Sequence, residues 1–171
     1  FLNKSNLTKI SMPYSIKLVG DMAFMGCSNL GFITVPSSVE SIGNYAFAGC
    51  SSMTSASVSG LKTIGANAFD GCTSLKSIEL PDGLTTLGAA AFKNCKYLTY
   101  LDLSNTQIND GALEGTNVRK LTINKNTNVT NNDLLKTAKI ALAHLNEFPN
   151  YYNKEYGLRV FEKMLESKLK S

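Results

Sequence analysis

The stretch SVESIGNYAFAGCSSMTSASV (residues 38–58) decides the fold, because its key columns return one unit up and one unit down the chain. Gly43 is matched by Gly20, Gly65 and Gly88, and Ala46-Phe47 by Ala23-Phe24, Ala68-Phe69 and Ala91-Phe92. Cys50 is matched by Cys27, Cys72 and Cys95. An apolar triplet follows each cysteine: Leu30, Ile33, Val35; Met53, Ala56, Val58; Leu75, Ile78, Leu80; Leu98, Leu101, Leu103. The period is 23, 22 and 23 residues, the short unit arising where VPSSVESIG from Val35 becomes VSGLKTIG from Val58. Self-similarity at this period marks stacked units, none of which buries its apolar face alone.

Two further units are partial. Leu7, Ile10 and Met12 form an upstream triplet behind Phe1, with Lys4 where cysteine would stand, so the chain is expected to open inside a unit. Downstream, Val118, Leu121 and Ile123 form a sixth triplet, preceded by Ile108 and by Ala112-Leu113 in place of Ala-Phe. The last two apolar positions of each triplet alternate with polar ones, as a strand with one buried face requires. Strands of one period then stack in parallel. Pro13, Pro36 and Pro81 follow directly and end the strands, and a second apolar pair such as Val39 and Ile42 turns the chain back. The glycine column predicts a close backbone approach. Phe24, Phe47, Phe69 and Phe92 are expected to stack as an interior ladder opposite the sheet.

Composition is that of a packed domain with an appendage: 171 residues, 43% hydrophobic and 18% charged. No apolar run reaches the roughly 18–20 residues a membrane-spanning helix needs, and residues 1–15 show no signal-peptide pattern. The net charge of +4 is uneven, with 7 Lys/Arg against 8 Asp/Glu in residues 1–116 and 10 against 5 in residues 117–171. The basic tail is interspersed with Glu and reads as a solvated helix surface, not a nucleic-acid site.

The columns at residues 38–58 and their partners resemble the BspA-like leucine-rich repeat family of surface proteins, over about residues 1–125. The resemblance implies an α/β repeat solenoid: a right-handed leucine-rich-repeat coil with a parallel β-sheet of about six strands on one face and short helical or irregular segments on the other. It also implies surface display or secretion, and adhesion to host, matrix or cell-surface proteins. Departures fall at the ends of the array, where Lys4 and Thr116 replace Cys and Asn109 replaces Gly.

The cysteines are too far apart for a zinc site, which wants paired ligands two to four residues from each other, and no metal or cofactor is expected. In one column their side chains point the same way, so a buried, reduced thiol ladder is expected. The glycosylation acceptor triplets at Asn3, Asn6 and Asn128 arise readily by chance in an Asn- and Ser/Thr-rich chain. His144 lacks a nucleophile or acid pair and reads as an ordinary helix residue. After Ile123 an Asn-rich stretch leads to two amphipathic segments, Leu134 to Leu145 and about 151–168. The expected domains are therefore a solenoid over 1–131 and a C-terminal helical cap or extension over 132–171.

No phosphate loop, nucleophile motif or acid pair points to catalysis. The expected function is a non-enzymatic binding module for a protein or a glycan. Its candidate ligand face is the outward side of the strands: Phe32, Thr34, Ser55, Ser57, Ser77, Glu79, Tyr100, Asp102 and Lys120, in columns that begin at Lys9 and Ser11. The alternative is a structural spacer that projects another domain or self-associates end to end through Phe1, Leu7 and Ile10.

Overall fold

The computed structural model describes residues 1–104, 106–122 and 127–129. The expected helical cap over 132–171, with His144, lies outside them. Each turn of the chain contributes two strands. In order these are β1 (Leu18–Val19), β2 (Phe32–Val35) and β3 (Ser41–Ile42), then β4 (Ser55–Val58) and β5 (Thr63–Ile64), then β6 (Ser77–Glu79) and β7 (Thr86–Leu87). The last turns give β8 (Tyr100–Asp102), β9 (Gln107–Ile108), β10 (Lys120–Thr122) and β11 (Asn128–Val129). All pairings are parallel and in register, so Ile33 lies beside Ala56 and Ala56 beside Ile78. The molecule is a parallel β-solenoid.

The longer strands carry the expected alternation: Ile33, Val35, Ala56, Val58, Ile78 and Leu101 are buried, and their neighbours Phe32, Thr34, Ser77, Glu79, Tyr100 and Asp102 are exposed. The single six-stranded sheet expected from the triplets is corrected in two ways. First, this wall is a three-stranded sheet, β2-β4-β6, followed by a two-stranded one, β8-β10. The triplet of Leu7, Ile10 and Met12 packs on the core without forming a strand; Gly31 N–H to Thr8 C=O, 3.2 Å, is a bond but not a ladder. Second, the continuous six-stranded ladder lies elsewhere, in the order β1-β3-β5-β7-β9-β11. Its first four strands are the dipeptides before Gly20, Gly43, Gly65 and Gly88, and its fifth the one before Asn109, the segment expected only to turn the chain back.

The third wall holds the Ala-Phe corner, and it corrects the helical segments expected there: among the described residues no helix forms. Two residues per turn adopt the left-handed conformation, one on each side of the phenylalanine. Two positions before it stand Met22, Tyr45, Asn67 and Ala90, with φ between 54° and 56°; two positions after it stand Gly26, Gly49, Gly71 and Asn94, with φ between 61° and 73°. Such residues break any right-handed helical run. The backbone N–H groups instead point along the solenoid axis. Tyr45, Phe47 and Gly49 donate to the carbonyls of Ala66, Ala68 and Asp70 in the next turn, at 2.8–2.9 Å. The hydrogen bonds a helix would make within itself are thus made between turns, as the burial of this backbone demands.

Inside this wall the expected aromatic ladder is present and one rung longer. Phe1, Phe24, Phe47, Phe69 and Phe92 stack with ring centroids 5.2–5.4 Å apart and planes within 15° of parallel. Leu113 continues the column as a buried residue, flanked by Gly111 and Gly115 in the left-handed conformation, so the decayed fifth unit keeps the backbone of the others. At Gly43, Gly65 and Gly88 the glycine column is explained by contact, whereas a Cβ on Gly20 of the first unit would meet nothing within 4 Å. A Cβ on Gly65 would lie 2.7 Å from Asn44 N and from Gly43 C of the preceding turn. Gly83, by contrast, has open space around it.

Phe69→Ala is expected to cost about 3–5 kcal/mol in urea unfolding of the whole chain, against under about 0.5 kcal/mol for Ser77→Ala on the outer face. Gly65→Ala should destabilise far more than Gly83→Ala; equal midpoints for the two glycine variants would refute the close-approach account.

Candidate functional site

The outward positions of the first wall fall into two rows. Pairing registers place Phe32, Ser55 and Ser77 side by side, and Thr34, Ser57 and Glu79 beside one another two residues on. The second sheet sets Tyr100 next to Lys120 and Asp102 next to Thr122. The nine residues expected on the ligand face therefore all lie on this wall, but in two groups, since β6 and β8 are not joined by ladder pairing. The break falls where Glu79 and Asp102 succeed each other in one row, two carboxylates that disfavour direct pairing. Asp102 accepts a bond from the Ser104 N–H at 3.1 Å, which turns its carboxylate toward the strand exit.

Phe32 and Tyr100 are the large apolar groups of this wall, 45% and 43% exposed. Each has a lysine from the adjacent turn over its ring. The Lys9 ammonium lies 5.8 Å from the Phe32 centroid, and the Lys120 ammonium 5.3 Å from that of Tyr100. A cation over the ring face is attracted by the ring quadrupole and keeps the aromatic upright. Residue spacing alone placed these four side chains in one column, while the ring contacts came only with the structure. Between the two pairs Ser55 and Ser77 leave a shallow, hydroxyl-lined stretch, and three strand spacings put Phe32 roughly 14 Å from Tyr100.

The cysteines line the interior and take no part in this face. All four are buried and unbridged. Each thiol donates to the carbonyl of the phenylalanine one turn back: Cys27 to Phe1, Cys50 to Phe24, Cys72 to Phe47 and Cys95 to Phe69, at 3.1–3.2 Å. The same carbonyl also accepts the cysteine N–H of its own turn, as Phe47 O does from Cys50 N. The column thus ties each turn to the next through one acceptor. Thr116, in the cysteine place of the fifth turn, turns its hydroxyl to Leu113 O of its own turn instead. Burial pushes the Cys50 and Cys95 thiols up to about 12 and Cys72 well above its ordinary value. No three His, Cys, Asp or Glu side chains converge among the described residues.

The second wall carries one ion pair, Lys62 to Glu40 at 2.9 Å, which holds the Glu40 carboxyl below its usual range. On the corner wall Glu114 pairs with Lys93 at 3.0 Å and raises its pKa. Both are exposed pairs and contribute little to stability.

A thiol that ionises less readily when folded stabilises the fold below its ordinary pKa and loses that contribution as pH climbs. Stability is therefore expected to fall from about pH 9 toward about pH 12, in a window set by the buried thiols. Cys72→Ala should flatten that decline in a pH series of denaturation midpoints, after its own packing loss is subtracted; an unchanged slope would refute the assignment.

The family model for the BspA-type leucine-rich repeat region matches residues 1–106 and 52–156, in six copies. Among solved structures the fold is similar to a leucine-rich repeat protein of Treponema pallidum, with a TM-score of 0.56, 28% identity, and 67% of this chain and 66% of that one covered. A leucine-rich cell surface protein of Faecalibacterium prausnitzii matches at 20% identity and TM-score 0.42, over 69% of this chain and 42% of that one. The pneumococcal vaccine antigen PcpA matches at 22% identity and TM-score 0.43, over 72% and 37%. This chain thus spans just under two-thirds of the treponemal protein and less than half of the other two. No match was found among curated proteins. Among the described residues no helix is long and apolar enough to cross a membrane.

Proposed function

The chain belongs to the BspA-type leucine-rich repeat family, and from that membership we propose that it is a non-enzymatic binding module of a secreted or surface-displayed protein. Its working surface is the outward side of β2, β4, β6, β8 and β10. The observation that carries this reading is the pair of exposed aromatics, Phe32 and Tyr100, each held under a lysine and set apart by serines. Aromatic anchors fixed in place by their neighbours lose little conformational freedom on binding, which is where recognition energy concentrates. The rigid backbone supports the same reading, because every strand of this wall is tied to a neighbour and backed by a close-packed interior.

The ligand class that family membership favours is a protein of a host, a matrix or a neighbouring cell. Thr34, Ser57, Glu79 and Asp102 supply the polar rim around the anchors, and Ser55 and Ser77 the floor between them. Because the anchors sit on separate sheets, a partner that needs both must span the break between β6 and β8.

The test is a pull-down on an array of host and matrix proteins with the whole chain beside a Phe32→Ala/Tyr100→Ala variant, once both show the same melting transition. A specific partner held by the wild type and lost by the variant, with affinity reduced about tenfold or more, is the expected outcome. Absence of any specific partner, together with concentration-dependent self-association in sedimentation, would move the assignment to a structural spacer.

A further inference from the structure

Among the described residues, one strip of the first wall carries cations alone. The strip that runs from the cysteine position to the first outward strand position comprises residues 4–9, 27–32, 50–55, 72–77, 95–100 and 116–120. It holds Lys4, Lys9, Lys76, Lys96, Arg119 and Lys120, all exposed, and no Asp or Glu. The remaining described cations are accounted for differently. Lys62 and Lys93 are in ion pairs with Glu40 and Glu114, and Lys17 acts on Glu40 as well. Among the described residues none of the six strip cations lies within ion-pair distance of a carboxylate, and two of them sit over aromatic rings instead.

Backbone bonds tie the strip's turns together on either side of the break between β6 and β8. Gly31, Thr54 and Lys76 donate their N–H groups to Thr8, Gly31 and Thr54 of the turn before, and Arg119 donates to Thr99, at 2.8–3.2 Å. Thr54 adds a hydroxyl bond to Gly31 O at 3.2 Å. Besides its cations the strip's outward residues are mostly Ser, Thr, Asn and Gly, with the exposed aromatics Phe32, Tyr97 and Tyr100. From Lys9 to Lys120 it extends over five strand spacings, roughly 24 Å.

We propose that this strip is a binding site for an anionic polysaccharide, carboxylated or sulfated, laid along the solenoid axis. Like charges held without counterions on a fixed backbone raise the local concentration of an opposite charge. Six cations over roughly 24 Å are far fewer than the charges of duplex DNA along that length, one every ~1.7 Å of axis. They suit a polysaccharide that carries about one anionic group per sugar ring. Tyr97 and Tyr100 offer flat faces to such rings. Glu79 and Asp102 stand one step inboard, where they would accept bonds from sugar hydroxyls. The proposal extends the binding-module reading and rests on this wall being a ligand surface.

The experiment measures binding of the 171-residue chain to heparin, alginate, neutral dextran, duplex DNA and polyglutamate over a salt series. The variants are Lys76→Gln/Lys96→Gln/Arg119→Gln and, as a charge control on the second wall, Lys62→Gln, each checked for an unchanged melting transition. Heparin and alginate are expected to bind, dextran not, with affinity falling as salt rises. The triple variant should bind about tenfold or more weakly, and Lys62→Gln as the wild type does. Duplex DNA or polyglutamate held as tightly as heparin would overturn the proposal in favour of unspecific polyanion or acidic-protein binding. Equal heparin affinity in the triple variant would overturn it too. Should the wild type ignore heparin and alginate while still capturing an array protein through Phe32 and Tyr100, the strip proposal falls and the sheet-face reading stands. Heparin binding lost in the triple variant, with no array partner found, keeps the strip and removes the protein ligand.

Discussion

The distance between successive turns governs everything else in this molecule. It is set by parallel backbone hydrogen bonds on all three walls, since buried N–H and C=O groups must be paired and this chain pairs them between turns. Every side-chain column then has to work at that one repeat. Phenylalanine rings stack face to face at 5.2–5.4 Å because the backbone delivers them at that interval. Gly43, Gly65 and Gly88 are small because the preceding turn's backbone occupies the space a Cβ would need. The thiols reach the previous turn's phenylalanine carbonyl for the same reason.

Much of this was legible in the chain itself. The periodic columns placed the buried and exposed sides of β2, β4, β6, β8 and β10, the aromatic ladder and the reduced interior thiols. What periodicity could not convey was how the corner backbone is shaped. A column occupied by Met22, Tyr45, Asn67 and Ala90 has no common chemistry, so nothing in composition announces that all four are left-handed. The neighbouring column, Gly26, Gly49, Gly71 and Asn94, does carry that signal, since Gly and Asn tolerate positive φ best. Taken seriously, it would have excluded helices from the corner. The second ladder was hidden for another reason: two residues per turn are too few to show alternation, although Ser41-Ile42, Thr63-Ile64 and Thr86-Leu87 share a polar, then branched or leucine, pattern.

The candidate site was legible as a list of outward residues and not as an arrangement. Placing Phe32 and Tyr100 in one column followed from the period. Their partition between two sheets, and the lysines over both rings, followed from the lengths of particular strands and the reach of particular side chains. Toward the end of the array the interior itself becomes polar. Thr106 takes the place held by Val39, Leu61 and Leu84, and its hydroxyl is satisfied by Leu84 O at 3.0 Å.

The unit shortened between Val58 and Ile64 shows how such an array changes size. The residue missing between Val58 and Ile64 falls in the turn between walls, outside the phenylalanine, cysteine and strand columns, and Gly60 there lies so close to Ser37 that only glycine fits. This fractional change is thus confined to one turn and demands a compensating residue. A whole unit, in contrast, meets its neighbours with the same donors, acceptors and rings they already expect. The solenoid is in this sense a ruler: duplication or loss of a unit lengthens or shortens its outer face by one strand spacing, leaving the chemistry of every remaining turn untouched.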